Sequence, residues 1–143
     1  MPCTYDIFPD LNVVRVIFRG HVHTRDILAL LDSLDGDPLY HRSIDELIYL
    51  EGCSDDAFTP AKRRDLANLI RGLFLMNGRS KRLALVAPDE PGRSFARTFA
   101  EVMHNNAAIT VRIFETAAGA MAFLEQTDPR LRLPVDADCF GRA

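Results

Sequence analysis

The sequence predicts an α/β fold in which a mostly parallel sheet follows an N-terminal antiparallel hairpin, in the element order ββαβαβαβα. Two short apolar runs, residues 47–50 and 83–87, are continuous, which is typical of strands buried at the centre of a parallel sheet. Segments with the apolar spacing of an amphipathic helix follow each of the later strands. Because strands that alternate with helices pair in parallel through right-handed crossovers, this order predicts the fold class.

The hairpin is predicted from two strands, residues 5–8 and 13–19, on either side of a turn that begins at Pro9. In the second strand, apolar side chains alternate with Arg15 and Arg19, as expected for a strand with one buried face. The last predicted strand alternates in the same way, so we expect the outer strands to be half-exposed. Its apolar positions are Ile109, Val111 and Ile113.

Four helices are predicted from apolar residues that recur at i, i+3, i+4 and i+7. Threonine precedes three of them as a candidate N-cap, and Pro60 occupies the first position of the second helix. Glycine or proline ends three of them. The first predicted helix has Thr24 as N-cap and ends at Gly36, and the second has Thr59 as N-cap and ends at Gly78. The third runs from about residue 92 to residue 105 without a predicted cap, and the fourth has Thr116 as N-cap and ends before Pro129.

Composition and charge exclude several functional classes. With 143 residues, 48% apolar and 26% charged, the chain can form one domain with its own core and is not a disordered chain. A formal net charge of −3 argues against nucleic-acid binding. No basic leader precedes an apolar run, and no run approaches the roughly 20 residues that span a bilayer, so we expect a cytoplasmic protein without a membrane span. Three widely spaced cysteines predict neither a disulfide framework nor a zinc site.

Charged residues are unevenly distributed along the chain. Residues 26–56 contain nine acidic residues and one arginine, whereas residues 60–100 contain nine lysines or arginines and three acidic residues. Solvated helix faces and ion pairs within the chain would account for this pattern. The alternative is an electrostatic contact, either with an acidic partner protein or between two copies of the domain.

Several short segments are similar to those of a known bacterial family. They are Phe18-Arg19-Gly20 before a helix, Asp37-Pro38-Leu39-Tyr40, the strand Leu83-Ala84-Leu85-Val86-Ala87-Pro88, and Ile113-Phe114 leading to Ala120-Met121-Ala122-Phe123-Leu124. Together with the hairpin, they resemble the small SpoIIAA-like, STAS-related proteins over residues 4–126. The resemblance implies a βα superhelix with sequential strand order and a non-catalytic regulatory module. We therefore predict one domain, residues 1–127, with an extended or mobile C-terminal extension, residues 128–143.

The resemblance also implies a phosphorylation motif, which this chain does not match. In the family's anti-sigma-factor antagonists, the phosphorylated serine lies in an Asp-Ser-Ser-Gly-like stretch after the third strand. The corresponding loop here, residues 51–60, offers only Ser54 and Thr59. Phosphate on Ser54 would be repelled by Asp55 and Asp56. A role as helix N-cap explains Thr59. The alternative is that Thr59 is phosphorylated as a switch, since a phosphate at a helix N-terminus is favourable.

Candidate binding residues lie in the loops that follow the carboxyl ends of the parallel strands, where open α/β sheets bind ligands. His21 and His23 precede the first helix, and we expect their side chains to point to opposite faces of an extended segment, a poor geometry for one metal. Cys53 and Asp55 could approach from the next strand end, which leaves a zinc site or a Cys–His dyad as alternatives. No ligand-spacing motif supports a metal, so we predict neither a metal nor a cofactor.

A second candidate site is the loop that leads into the third helix, residues 88–94. Backbone N–H groups at this helix start, together with Arg93 and Ser94, could hold an anion. The loop matches neither a P-loop nor a dinucleotide-binding fingerprint, and Asp89 and Glu90 would oppose a phosphate. The usual signals of a helix start account for the loop as well.

The functional prediction is a non-enzymatic module that binds a protein partner or forms a homodimer. If all helices lie on one face of a sequentially ordered sheet, the other face exposes apolar residues that a second copy or the C-terminal extension would cover. Leu131 and Leu133 are candidates for that cover. The alternative function is a carrier with an apolar pocket for a small molecule or lipid between the sheet and the helices.

Overall fold

The described residues, 3–41, 43–50, 53–54, 61, 64–65, 67–69, 71, 81–104 and 109–134, form an α/β fold in this computed structural model. The strands, in chain order, are β1 (Cys3–Phe8), β2 (Val13–Phe18), β3 (Gly20–His21), β4 (Asp45–Tyr49), β5 (Cys53–Ser54), β6 (Lys81–Val86) and β7 (Ile109–Phe114). The helices are α1 (Thr24–Asp35), α2 (the helical positions 61, 64, 65, 67–69 and 71), α3 (Gly92–Met103) and α4 (Ala117–Phe123), followed by a 3-10 turn at Pro129–Leu131.

The main sheet has the strand order β1-β2-β4-β6-β7, which is also the order along the chain. β1 and β2 pair antiparallel, and every later pair of neighbours is parallel. The predicted α/β class, with an antiparallel hairpin and an otherwise parallel sheet, is therefore confirmed. β3 and β5 form a separate parallel pair that the sequence did not predict, because two residues are too few to show a hydrophobic period.

The helix starts agree with the sequence in part. Thr116 caps α4 as predicted, since its Oγ1 accepts a hydrogen bond from the Gly119 N–H at 3.2 Å. The predicted N-cap Thr24 is wrong, because it is the first residue of α1 and His23 is the N-cap. The Asp26 carboxylate accepts a hydrogen bond from the His23 N–H at 2.9 Å, which is one half of a capping box.

The second predicted helix falls partly outside the described residues, as do its N-cap Thr59, its first residue Pro60 and its end at Gly78. The positions of that helix that the structure describes, those of α2, are helical. The third predicted helix is α3, which begins at Gly92 as expected and ends shortly before the predicted end.

Two apolar cores lie on the two faces of the main sheet. On the first face, Val14, Val16 and Phe18 of β2 point toward α1 and α3, whereas Arg15 lies on the second face, as predicted. The expectation that β2 is half-exposed is wrong, because β2 lies between β1 and β4 and its Val13 and Ile17 are buried on the second face. α1 and α3 each bury one apolar stripe on this face. Other members of this core include Ile27, Leu30, Ile48, Leu83, Leu85, Phe95 and Phe99.

The second face of the sheet is covered by α4 and by residues 128–133, here called the C-terminal segment. The prediction that all helices lie on one face is wrong for α4, because α4 follows the last strand and no crossover sets its side. The apolar centre of the sheet is therefore covered within one chain. This core comprises Val13, Ile17, Leu47, Tyr49, Ala84, Val86, Ala120, Met121, Leu124 and Leu131, with Leu133 packed against it.

Hydrogen bonds from the sheet hold the C-terminal segment in place. The Tyr49 hydroxyl donates to the Leu131 carbonyl at 2.9 Å. The Arg15 guanidinium donates to the carbonyls of Arg130 and Arg132 at 2.7 and 2.9 Å. Because the Arg15 side chain is only 11% exposed, these carbonyls replace water as its acceptors.

We expect the contacts of Arg130 to stabilise the fold less as the pH falls. Arg130 binds Asp10 and Asp128 at 2.6 and 2.9 Å, and these hydrogen bonds lower the pKa of both carboxyls. A carboxyl whose pKa is lower in the folded state than in the unfolded state stabilises the fold at every pH above its unfolded-state pKa. This stabilisation is lost as the pH falls through the folded-state pKa. The difference in unfolding free energy between wild type and Arg130→Met should therefore shrink from neutral pH to below the ordinary carboxyl value of 3.8. A difference that does not vary with pH would contradict this prediction.

Candidate functional site

The carboxyl ends of the parallel strands bring two of the predicted loops together. β3 follows β2, β5 follows β4, and the two pair in parallel, with Gly20 opposite Cys53 and His21 opposite Ser54. The backbones of these candidate loops are therefore in direct contact, which is a condition for the expected approach of Cys53 to the segment that carries His21 and His23. Asp55 and Thr59, the other candidates in this region, lie outside the described residues.

His21 and His23 lie side by side, so the expectation that they point to opposite faces is wrong. Their ring centroids are 6.2 Å apart and their planes are inclined by 12°. Alternate residues of an extended segment share a face, and it is Val22 between them that is fully buried. Within the described part of the chain, no group of three or more His, Cys, Asp or Glu residues is arranged to hold a metal.

Arg93, a candidate for anion binding, instead binds the end of its own strand. Its Nε donates to the Ala87 carbonyl at 3.3 Å and its Nη2 donates to the Pro88 carbonyl. Glu115, just after β7, lies 3.9 Å from the same guanidinium. Arg93 therefore donates hydrogen bonds to the two backbone carbonyls that follow β6, which satisfies these carbonyls within the chain.

Ser94, the other candidate in this loop, donates a hydrogen bond to the Glu90 carboxylate. Glu90 also accepts from Arg97 at 3.1 Å, and the hydrogen bond from Ser94 is the main reason that the pKa of Glu90 is lowered. An ionised carboxylate at this helix start repels an anion, as expected for Glu90 from the sequence. The arrangement favours a structural explanation of the loop.

The start of α3 packs closely on the residue that follows β4. A Cβ atom on Gly92 would lie 2.4 Å from the Leu50 carbonyl oxygen and 3.0 Å from the Leu50 Cβ. No ordinary side chain tolerates such an approach to backbone, so glycine is required where the helix meets the sheet.

Gly92→Ala is expected to destabilise the fold by about 1–3 kcal/mol, the usual cost of forcing extra atoms into a packed site. Gly36→Ala is the matched control, because the atom nearest to its added Cβ would be 3.7 Å away. The control should change stability little. Thermal denaturation of both variants measures the difference, and equal midpoints would contradict the close packing of α3 on the sheet.

A buried group of charged side chains lies at the opposite, amino ends of β4 and β6, where the sequence predicted no site. Lys81 Nζ donates to Glu46 Oε2 at 2.5 Å. The Tyr40 hydroxyl accepts from Lys81 and donates to Glu46, each at 3.1 Å. The side chains of Lys81 and Glu46 are only 1% and 6% exposed. On the other face of the same strands, Arg82 binds Asp45 at 2.8 Å.

The signal for these pairs is present in the sequence once the two strands are aligned. Asp45-Glu46 begins one parallel strand and Lys81-Arg82 begins its neighbour, so each acid has a base beside it on the same face. Arg82 also donates to two carbonyls at the end of α4, at 3.2 Å each. These ion pairs join the acidic and the basic parts of the sequence, which supports pairing within the chain as one cause of the uneven charge.

Cavities flank α1 on two sides. The cavity between the sheet, α1 and α3 is nearly filled, with a volume of about 40 Å³, and Glu46 is the charged residue that borders it. An open groove of about 300 Å³ lies between β1 and α1 and is here called the β1–α1 groove. The residues that line this groove are Cys3, Thr4, Tyr5, Asp26, Ala29, Leu30 and Ser33.

Cys3, which borders the β1–α1 groove, is not poised to act as a nucleophile. Burial of the thiol, and to a smaller extent the charge of Asp26, raise the pKa of Cys3 to about 12. The thiolate is the reactive form of cysteine, so this thiol stays protonated and unreactive at neutral pH.

No protein-family model matches the chain, and no curated protein matches it either. Among the residues that the structure describes, no helix combines the length and the apolar character needed to cross a membrane.

Proposed function

We propose that the chain is a non-catalytic protein-interaction module of the STAS/SpoIIAA-like kind, with a regulatory role. The sequential strand order β1-β2-β4-β6-β7 supports this proposal, because it is the order that the resemblance implies. A fold constrains the kind of function without determining it. The choice between this function and its alternatives depends on the interior and on the loops.

Among the residues that the structure describes, the nearly filled cavity between the sheet, α1 and α3 is the observation that carries the proposal. Sites for small molecules usually have volumes of roughly 300–1,000 Å³ and enclose most of the ligand. The cavity between the sheet, α1 and α3 has a volume of about 40 Å³, and the rings of Phe95 and Phe99 that border it are 6.0 Å apart. An apolar ligand held between the sheet and these helices would need these side chains to move apart, whereas a module that binds through its surface would not. The β1–α1 groove, at about 300 Å³, reaches the lower end of the range for small-molecule sites, but it is open at the surface and Asp26 lines it, which suits an apolar ligand poorly.

The described loop residues add to this support. Arg93 and Ser94 bind carbonyl and carboxylate groups of the chain itself. Side chains whose hydrogen bonds are committed to the fold are poorly placed to transfer protons to or from a substrate. Binding of another protein through the surface requires none of them to be available.

Affinity capture of the full chain from a native lysate, followed by native mass spectrometry, tests the proposal. We expect the chain to retain a protein partner at a defined stoichiometry and no small molecule. A retained apolar small molecule would favour the carrier instead. Recovery of the chain with neither a protein nor a ligand would count against an interaction module.

A further inference from the structure

β1 is the outermost strand on one side of the main sheet. Its inner edge pairs with β2 along its whole length without a bulge, and no other strand of the described residues pairs with its outer edge. The strand contains neither proline nor lysine, which natural proteins often use to block an exposed edge. β1 therefore presents the backbone groups of its outer edge to a further strand.

The β1–α1 groove lies beside this edge and offers room for side chains. Its wall on α1 is a single helix face, since the lining residues follow the spacing i, i+3, i+4 and i+7. Ala29 and Ser33 on this face are small and exposed, which keeps the groove open. The four wall residues are Asp26, Ala29, Leu30 and Ser33.

One acidic side chain lines the groove, and a second lies just beyond its other end. Asp26 lines it near Cys3, and the charge of Asp26 contributes to the raised pKa of the Cys3 thiol. Toward the other end, Asp37 accepts a hydrogen bond from the Tyr5 hydroxyl at 2.9 Å. None of the residues that line the groove is basic. Complementarity of charge therefore favours a positively charged ligand.

We propose that an extended segment of a partner protein pairs with the outer edge of β1 and places a lysine or arginine in the β1–α1 groove next to Asp26. In this mode of recognition, main-chain hydrogen bonds supply affinity, and pockets for alternate side chains supply specificity. The inference rests on the proposed function and names the surface and the chemistry of the partner.

A second copy of the chain fits this edge less well. A symmetric pair brings the same surface of both copies together. Because α1 packs beside β1, pairing of two β1 edges would bring two α1 helices close, each with three aspartates and one arginine. Like charges brought close across an interface destabilise it, whereas Asp26 in the groove attracts a basic segment.

The probes are displayed random peptides of about ten residues, which are selected for binding to the full chain. We expect the enriched peptides to combine β-branched residues with lysine or arginine. Ala29→Arg fills the groove and should weaken their binding about tenfold or more. Leu28→Arg is the matched control, because Leu28 is 37% exposed on the same helix but does not line the groove, and binding should be unchanged. Asp26→Asn keeps an acceptor for the helix cap, removes the charge, and should weaken binding about two- to fivefold.

Amide hydrogen exchange of the protein with a selected peptide locates the contact. Exchange of β1 amides should slow on binding, because strand addition gives them new acceptors. The inference is overturned if no peptide is enriched, or if the peptides bind Ala29→Arg as tightly as wild type. A dimer whose β1 amides are protected without peptide also overturns it, in favour of self-association. A captured protein partner that Ala29→Arg still retains would exclude this surface and leave the proposed function intact.

Discussion

Lys81→Met should lower the free energy of unfolding by about 3–5 kcal/mol, which is the usual cost of leaving one partner of a buried ion pair alone. Lys81 Nζ lies 2.5 Å from Glu46 Oε2, and both side chains are almost inaccessible to water. Without the ammonium group, the Glu46 carboxylate must stay buried without its partner or become protonated, and either outcome costs stability. Tyr40 does not compensate, because its hydroxyl already donates to Glu46 in the wild type.

Removing both charges separates the cost of an unpaired charge from the cost of lost packing. The double variant of Lys81→Met with Glu46→Leu fills the same space with apolar atoms, and such replacements are often neutral or stabilising. Urea denaturation should therefore give the double variant an unfolding free energy close to that of the wild type. Arg64→Met is the control for an exposed pair, 3.6 Å from Glu101, and should change stability little. A Lys81→Met variant as stable as the wild type would contradict the prediction.

Leu131→Ala should lower the free energy of unfolding by about 2–5 kcal/mol, the range for truncating a buried leucine. Leu131 is fully buried against the second face of the sheet, and its carbonyl accepts the hydrogen bond of the Tyr49 hydroxyl. The bonds of Arg15 hold the backbone on both sides of this residue, so the segment cannot collapse freely into the cavity. Urea denaturation measures the loss. Leu39→Ala, at a leucine that is 54% exposed, is the control and should change stability little.

Ending the chain after residue 127 should cost more than Leu131→Ala. The shorter chain loses the Leu131 side chain, and it also removes the carbonyls that accept hydrogen bonds from Tyr49 and Arg15. Buried donors left without acceptors add their own cost. Binding of a hydrophobic dye should rise, because the second face of the sheet loses part of its cover. A shortened chain as stable as the wild type would mean that the C-terminal segment is not part of the folded unit.

Local patterns in the sequence were sufficient to predict most of the elements. The alternation around Arg15 in β2, the apolar runs of β4 and β6 and the cap at Thr116 depend on residues that are close along the chain. The faces of a strand or a helix follow from backbone geometry, so a hydrophobic period reveals them without any distant contact. For this reason the α/β class and the antiparallel hairpin could be predicted.

The candidate site could be predicted less well. The loops that carry His21 and Cys53 do meet, because the carboxyl ends of parallel strands lie at the same edge of a sheet. The use of the side chains in the next loop could not be predicted, since Arg93 finds its acceptors only where the chain turns from β6 into α3. The neighbouring positions of His21 and His23, in contrast, follow from the same two-residue period that the strands obey.

By itself, the sequence predicted the fold class, the five strands of the main sheet in their order, and the alternation of β2 side chains between the two faces of that sheet. Only the tertiary structure decided that Lys81 meets Glu46, that α4 and Leu131 cover the second face of the sheet, and that a groove lined by Asp26 opens beside β1. Lys81 and Glu46 are 35 positions apart, and Tyr49 and Leu131 are 82 apart. Strand register and the path of the chain after β7 bring such residues together. A local hydrophobic period carries no information about either the register or the path.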